Sequence, residues 1–118
     1  MNVEGMWAVY FGDVAGPQVN SGVAVFETGR IFGGDSMMAY LGTYQVSSAG
    51  ISGSAKIWAY NPHQAVTTAF GKMGTAEGVT LTFSATENED GSLTGTFAEE
   101  NNSSITIPAN LIKVAELP

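Results

Sequence analysis

The clearest pattern in the chain is an alternation of apolar and polar positions with a period of two. In GVTLTFSAT, Val79, Leu81, Phe83 and Ala85 alternate with Thr80, Thr82, Ser84 and Thr86. Successive side chains of a strand point to opposite faces, so this segment predicts a strand with one buried and one solvated face. Asp90-Gly91 follows, a pair suited to the positive φ of a tight hairpin turn, and Leu93, Gly95 and Phe97 then resume the alternation. Residues 79–98 therefore read as a β-hairpin. The same logic predicts strands near 5–12, 20–28, 30–34, 38–46, 51–60 and 104–114. Their turns fall at Thr28-Gly29, at Gly33-Gly34-Asp35 and at Ser47 to Gly50.

Eight short strands with a turn signal about every ten residues predict an all-β domain, either a closed antiparallel barrel or a sandwich. The barrel fits better. MWAVYF, VAVF and MMAYL are apolar on both faces, and mid-strand Gly22, Gly42, Gly53 and Gly95 suit sharply bent strands. Closure also removes sheet edges that a Lys-poor chain has few means to protect. Pro108 interrupts the last strand, and the apolar parity passes from Ile105 and Ile107 to Ile112 and Val114, which predicts a bulge there. One segment breaks the pattern. NPHQAVTTAFGKMG, 61–74, predicts a single short helix over about 62–70, capped by Asn61 with Pro62 at its first position; a loop with one more short strand is the alternative.

Composition narrows the function. The 118 residues suit one domain spanning 1–118, long enough to bury about two-thirds of its surface without staples. Cysteine is absent, which excludes disulfides, thiolate metal sites and a Cys nucleophile. Four Lys and Arg against eleven Asp and Glu give a net charge of −7, too few cations to neutralise several phosphates, so no direct nucleic-acid binding is expected. No apolar run approaches the length of a membrane-spanning helix, and MNVEGMWAVYF lacks the marks of a signal peptide, so a cytoplasmic location is expected. The overlapping sequons at Asn101 and Asn102 carry little weight in that setting.

Catalytic provision is thin. The single histidine, His63, follows Asn-Pro in a predicted loop and reads as a solvated polar residue rather than a general base. With no Cys and one His, a zinc or iron site would rest on carboxylates alone, and no nucleophile elbow or phosphate-cradling glycine loop is present. No enzyme activity, cofactor or metal is expected. A pair of carboxylates such as Glu27 and Asp35 meeting in one pocket would reopen that question. The acidic run Glu87, Glu89, Asp90 fails as a calcium loop, because Phe97 stands where the twelfth-position Glu is required. It reads as a solvated hairpin tip, with a contact surface for a basic protein partner as the functional alternative.

Aromatic residues occur on most strands, next to small ones such as Ala8, Ala24, Ala39, Ala55 and Ala59. An eight-stranded barrel encloses a volume that side chains just fill, or that admits one small ligand. Both outcomes stay open, and an apolar ligand would meet Trp7, Tyr40, Phe83 and Phe97. Strands apolar on both faces leave an outer face to be covered, and a homodimer is the cheapest cover. Gly33, Gly34 and Asp35 read as a turn device: the glycines permit positive φ, and Asp35 accepts backbone N–H groups one or two residues on. The alternative makes Asp35 a polar anchor at the barrel mouth.

These residues also carry a resemblance. Gly5 with Trp7, Gly22, Gly29, then Gly33-Gly34-Asp35 followed by Tyr40 and Gly42, and finally Tyr60-Asn61, resemble the GrlR family of small bacterial regulators. The resemblance spans roughly residues 5–61, with the C-terminal half similar only in strand pattern. It implies a lipocalin-like antiparallel barrel, a dimer, a largely apolar interior and no enzymatic activity. It further implies negative regulation of type III secretion gene expression, by contact with a transcriptional activator instead of DNA. In that family an acidic loop is associated with the contact. The corresponding turn here, Ser47, Ser48, Ala49, Gly50, carries no acid. Two functions are thus expected from different classes: a protein-binding regulator, or a carrier or sensor of a small apolar molecule inside the barrel.

Overall fold

The computed structural model describes residues 2–12, 21–61 and 74–118. Eight strands form in chain order: β1 (Gly5–Phe11), β2 (Ser21–Glu27), β3 (Arg30–Gly34), β4 (Met38–Val46), β5 (Gly50–Ala59), β6 (Val79–Glu87), β7 (Leu93–Glu99) and β8 (Asn102–Ala115). Each pairs antiparallel with the next, and β8 returns to β1, so the sheet closes into an eight-stranded antiparallel barrel. No helix forms among the described residues. The helix expected over 62–70, its strand alternative and His63 lie outside them.

Alternation decides what each strand buries. Trp7, Ala24, Phe26, Ile31, Tyr44, Ile51, Ala85, Leu93 and Leu111 point inward and are buried. On β6 and β7 the intervening Thr80, Thr82, Ser84, Thr94 and Thr96 are exposed. Two turns form where the sequence places them. Gly91 carries φ of +86°, and Thr28 and Gly29 carry +51° and +77° in the hairpin that pairs Glu27 with Arg30. Thr28 is a β-branched residue in the left-handed region, and Glu4 braces it, its Oε2 accepting the Thr28 N–H at 2.7 Å.

Two expectations are corrected. Pro108 sits in register opposite Thr96 inside one continuous β8, and no bulge forms at it. The irregularities lie to either side, where Phe97/Glu99 face Ile107/Asn102 and where Met6/Trp7 face Ala115/Lys113. Parity is kept: Ala109 and Leu111 are buried, while Ile112 and Val114 face outward and are half-exposed. Gly33 and Gly34, for their part, adopt no positive φ. They are strand residues at which neighbouring backbone comes too close for a side chain. A Cβ at Gly33 would lie 2.0 Å from the Val23 carbonyl oxygen, and one at Gly34 would lie 2.7 Å from that of Met38.

Candidate functional site

The connection from β3 to β4 and the ends of β1, β5 and β7 lie at one end of the barrel; the turns at 28–29, 47–49 and 88–92 lie at the other. The second end is closed by packing. Trp7 is 2 % exposed and its Nε1–H donates to the Val3 carbonyl at 2.8 Å. Phe26 lies 6.1 Å from the Trp7 ring and 5.2 Å from the Tyr44 ring, so three aromatic side chains form the floor. The Lys113 ammonium sits 5.9 Å from the Trp7 ring centroid, a cation over its face.

Above this floor the barrel is hollow. A cavity of about 310 Å³ runs from Phe26 and Ile31 to Asp35, Ser36 and Met37. Ser36 and Met37 are exposed, so among the described residues the cavity reaches the surface at the 35–37 end. Its wall is apolar: Phe11 and Phe97 meet edge to face at 6.0 Å, with Phe83, Ile57 and Leu81 among the other wall residues. Small residues make the hollow. Ala24, Ala55, Ala85, Gly95 and Ala109 all line it, where larger side chains would fill a barrel of this strand number.

Of the four residues expected to meet a ligand, Tyr40, Phe83 and Phe97 line the cavity and Trp7 does not. Trp7 is two positions nearer the closed end than Val9, and its large ring completes the floor instead of facing the space. Strand alternation puts Trp7 inside but leaves its height open; contacts with Val3, four residues before it, and with Phe26 on the adjacent β2 fix that height. Phe11 and Phe26 are lining residues that were not singled out from the sequence. The signal available was parity, since Phe11 shares the inward face of β1 with Trp7.

The polar groups of the site converge on Asp35. Its Oδ1 accepts the Met37 N–H at 2.8 Å and the Met38 N–H at 2.7 Å. Its Oδ2 accepts the Tyr40 hydroxyl proton. Its own N–H donates to the Met38 carbonyl at 2.9 Å, and its carbonyl accepts the Tyr60 hydroxyl at 3.0 Å. Asp35 therefore fixes the turn and also stands at the mouth of the cavity. Burial pushes the Tyr40 phenol far above its ordinary value of 10.0, and the adjoining Asp35 carboxylate pushes it the same way, so it stays a neutral donor.

Glu99 is also at this end, buried on β7 opposite the lining residue Leu81, but it does not itself line the cavity; the other acids singled out from the sequence lie elsewhere. Glu27 is at the closed end, paired with Arg30 at 2.9 Å, and does not meet Asp35. Glu87, Glu89 and Asp90 are exposed in the closed-end hairpin. Asp90 Oδ1 accepts the Ser92 hydroxyl and, at 2.9 Å, the Ser92 N–H. Those two bonds, the hydroxyl's first, hold the Asp90 carboxyl below its ordinary value. No family model matches the chain, and none of the curated proteins matches it in sequence.

Proposed function

We propose that this barrel binds a small, largely apolar molecule as a carrier or sensor, without performing chemistry on it. The observation that supports this most is the cavity itself: about 310 Å³, apolar-walled, reaching the surface at one end among the described residues and closed at the other by Trp7 and Phe26. Binding pockets have this character, an apolar lining with a few convergent polar groups, and the volume is at the small end of their range. Native mass spectrometry of the protein purified from its own host is the test. A retained small molecule, released on denaturation, supports the reading; a barrel that retains nothing and fails to take up a neutral solvatochromic dye such as Nile red overturns it.

A second reading, contact with protein, is favoured by the outside of the barrel. Met6, Val25, Phe32 and Leu41 lie side by side across four strands, and Ile112, Ala8 and Val23 form a second row. Leu41 is 57 % exposed and Phe32 is 40 % exposed. The outward residues of β6 and β7 are Thr and Ser apart from Ala98, so the exterior is two-sided. These two rows carry no charge, and in a chain of net charge −7 such a face is where a second copy can approach without repulsion. A basic partner would seek acids, which these rows lack. Restraint of a transcriptional activator, implied by the GrlR resemblance, would then act through a dimer. Sedimentation velocity tests this: a dimer that becomes monomeric in Leu41→Lys supports it, and a monomeric wild type refutes it.

A further inference from the structure

We infer that the molecule held in the cavity carries a hydrogen-bond-donating, positively charged head, an amine on an apolar body, and that it seats this head on Asp35 and Tyr40. This rests on the ligand-holding reading above and names the chemical class of its occupant. Among the described residues lining the cavity, Asp35 is the one that carries charge, and neither Lys, Arg nor His joins it. A carboxylate-headed amphiphile would therefore bring a second negative charge to the mouth with no described cation to receive it. The whole chain adds to this, since its net charge of −7 disfavours anions and draws cations toward an apolar-walled cleft.

Geometry supplies the rest. Oδ1 is occupied by two backbone N–H groups, but Oδ2 accepts only Tyr40 among the described contacts, and a carboxylate oxygen has room for a second donor. The Tyr40 hydroxyl gives its proton to Asp35, and its oxygen keeps acceptor capacity of its own beside Oδ2. The Asp35 carboxylate, lining the cavity with the Tyr40 oxygen next to it, is matched to the several N–H groups of an ammonium. Neither needs to reorganise. The carboxylate is pinned by the turn, and Asp35 itself is held at both its N–H and its carbonyl by Met38 and Tyr60. Preorganisation of this kind lowers the cost of binding.

The test is displacement of Nile red from the wild-type protein by octylamine, octanol and octanoate, three heads on one chain. Octylamine is expected to compete about tenfold or more better than octanol, the gain of a charge-assisted over a neutral hydrogen bond, and octanoate worst of all. Asp35→Asn keeps an acceptor for the turn and should bring octylamine to the level of octanol. If that variant does not fold, Tyr40→Phe serves, and should lower octylamine selectively. Octanoate competing as well as octylamine in the wild type, or an amine preference unchanged in a folded variant, overturns the inference while leaving a ligand-holding barrel. Failure of Nile red and all three chains to bind overturns both.

Discussion

Gly22 and Tyr40 share one small space inside the barrel. A Cβ at Gly22 would stand 2.6 Å from the Tyr40 hydroxyl oxygen and 3.1 Å from the ring, so the glycine is what allows the phenol to reach Asp35. Gly22→Ala should therefore destabilise the protein by about 1–3 kcal/mol, as overpacking in a filled site does. The backbone carbonyl of Gly34, at 2.9 Å from the same Cβ, adds a contact that the side chain cannot relieve. Removing the hydroxyl with Tyr40→Phe should thus recover part of the loss and not all of it. Urea denaturation of the two single variants and the double variant measures the coupling; strict additivity would show that the two residues do not contend for this space.

Stability at high pH should depend on Tyr40. Its phenol is raised above 10.0 in the folded state, chiefly by burial and then by Asp35, so between pH 10 and its native value the unfolded chain loses this proton while the folded one keeps it. The stabilising contribution is complete below pH 10 and is lost as pH rises, with a slope of about 1.4 kcal/mol per pH unit from this one group. Other tyrosines and lysines contribute to the wild type and the variant alike. Urea midpoints measured between pH 9 and pH 11 should fall more steeply for the wild type than for Tyr40→Phe. Parallel slopes would show that the phenol ionises freely.

The adjacent glycines of β3 make a prediction about order. A turn built on positive φ would be hurt most by substitution at Gly34, nearer the reversal. Steric contact reverses this: the missing Cβ at Gly33 meets backbone at 2.0 Å, against 2.7 Å at Gly34. Gly33→Ala is expected to cost more than about 3 kcal/mol or to prevent folding, and Gly34→Ala about 1–2 kcal/mol. Gly34→Val should also destabilise, through the Met38 carbonyl. Thermal melts of the alanine variants check the ranking.

How much of this was legible depends on the range over which each feature is decided. The 79–98 hairpin was readable because period-two alternation and Asp90-Gly91 are local, and the turns at 28–29 and 47–50 mark the β2–β3 and β4–β5 boundaries in the same local way. Barrel closure followed from counting strands that are apolar on both faces. What sequence pattern alone could not set was height and proximity. Trp7 points inward as alternation requires, yet whether it forms the floor or faces the hollow depends on Val3, which precedes β1, and on Phe26 and Lys113, which pairing of β1 with β2 and β8 brings to it. The glycines at 33 and 34 were visible as special, but a glycine required by a neighbouring carbonyl and one required by φ look alike in sequence. Pro108 looked like an interruption because its ring removes a donor; in the barrel it keeps register with Thr96 and β8 runs through it.

The last prediction concerns Thr28. In the β2–β3 hairpin both turn residues have positive φ, a conformation suited to Asn-Gly, and Thr28 occupies it at +51°. A left-handed backbone costs an ordinary L-residue about 1–2 kcal/mol, and β-branching adds crowding that Asn avoids. Glu4 offsets part of this by accepting the Thr28 N–H at 2.7 Å. That bond uses the backbone, so it survives when the side chain is changed. Thr28→Asn should therefore stabilise the protein by about 0.5–1 kcal/mol, raising Tm by about 2–4 °C. Glu4→Gln in the wild type should lower stability by a similar amount, since a carboxylate accepts more strongly than an amide oxygen. Calorimetry on the two single variants and their combination decides it: if Thr28→Asn melts at or below the wild type, the threonine is not strained in this turn, and Glu4 is bracing a conformation the chain adopts without cost.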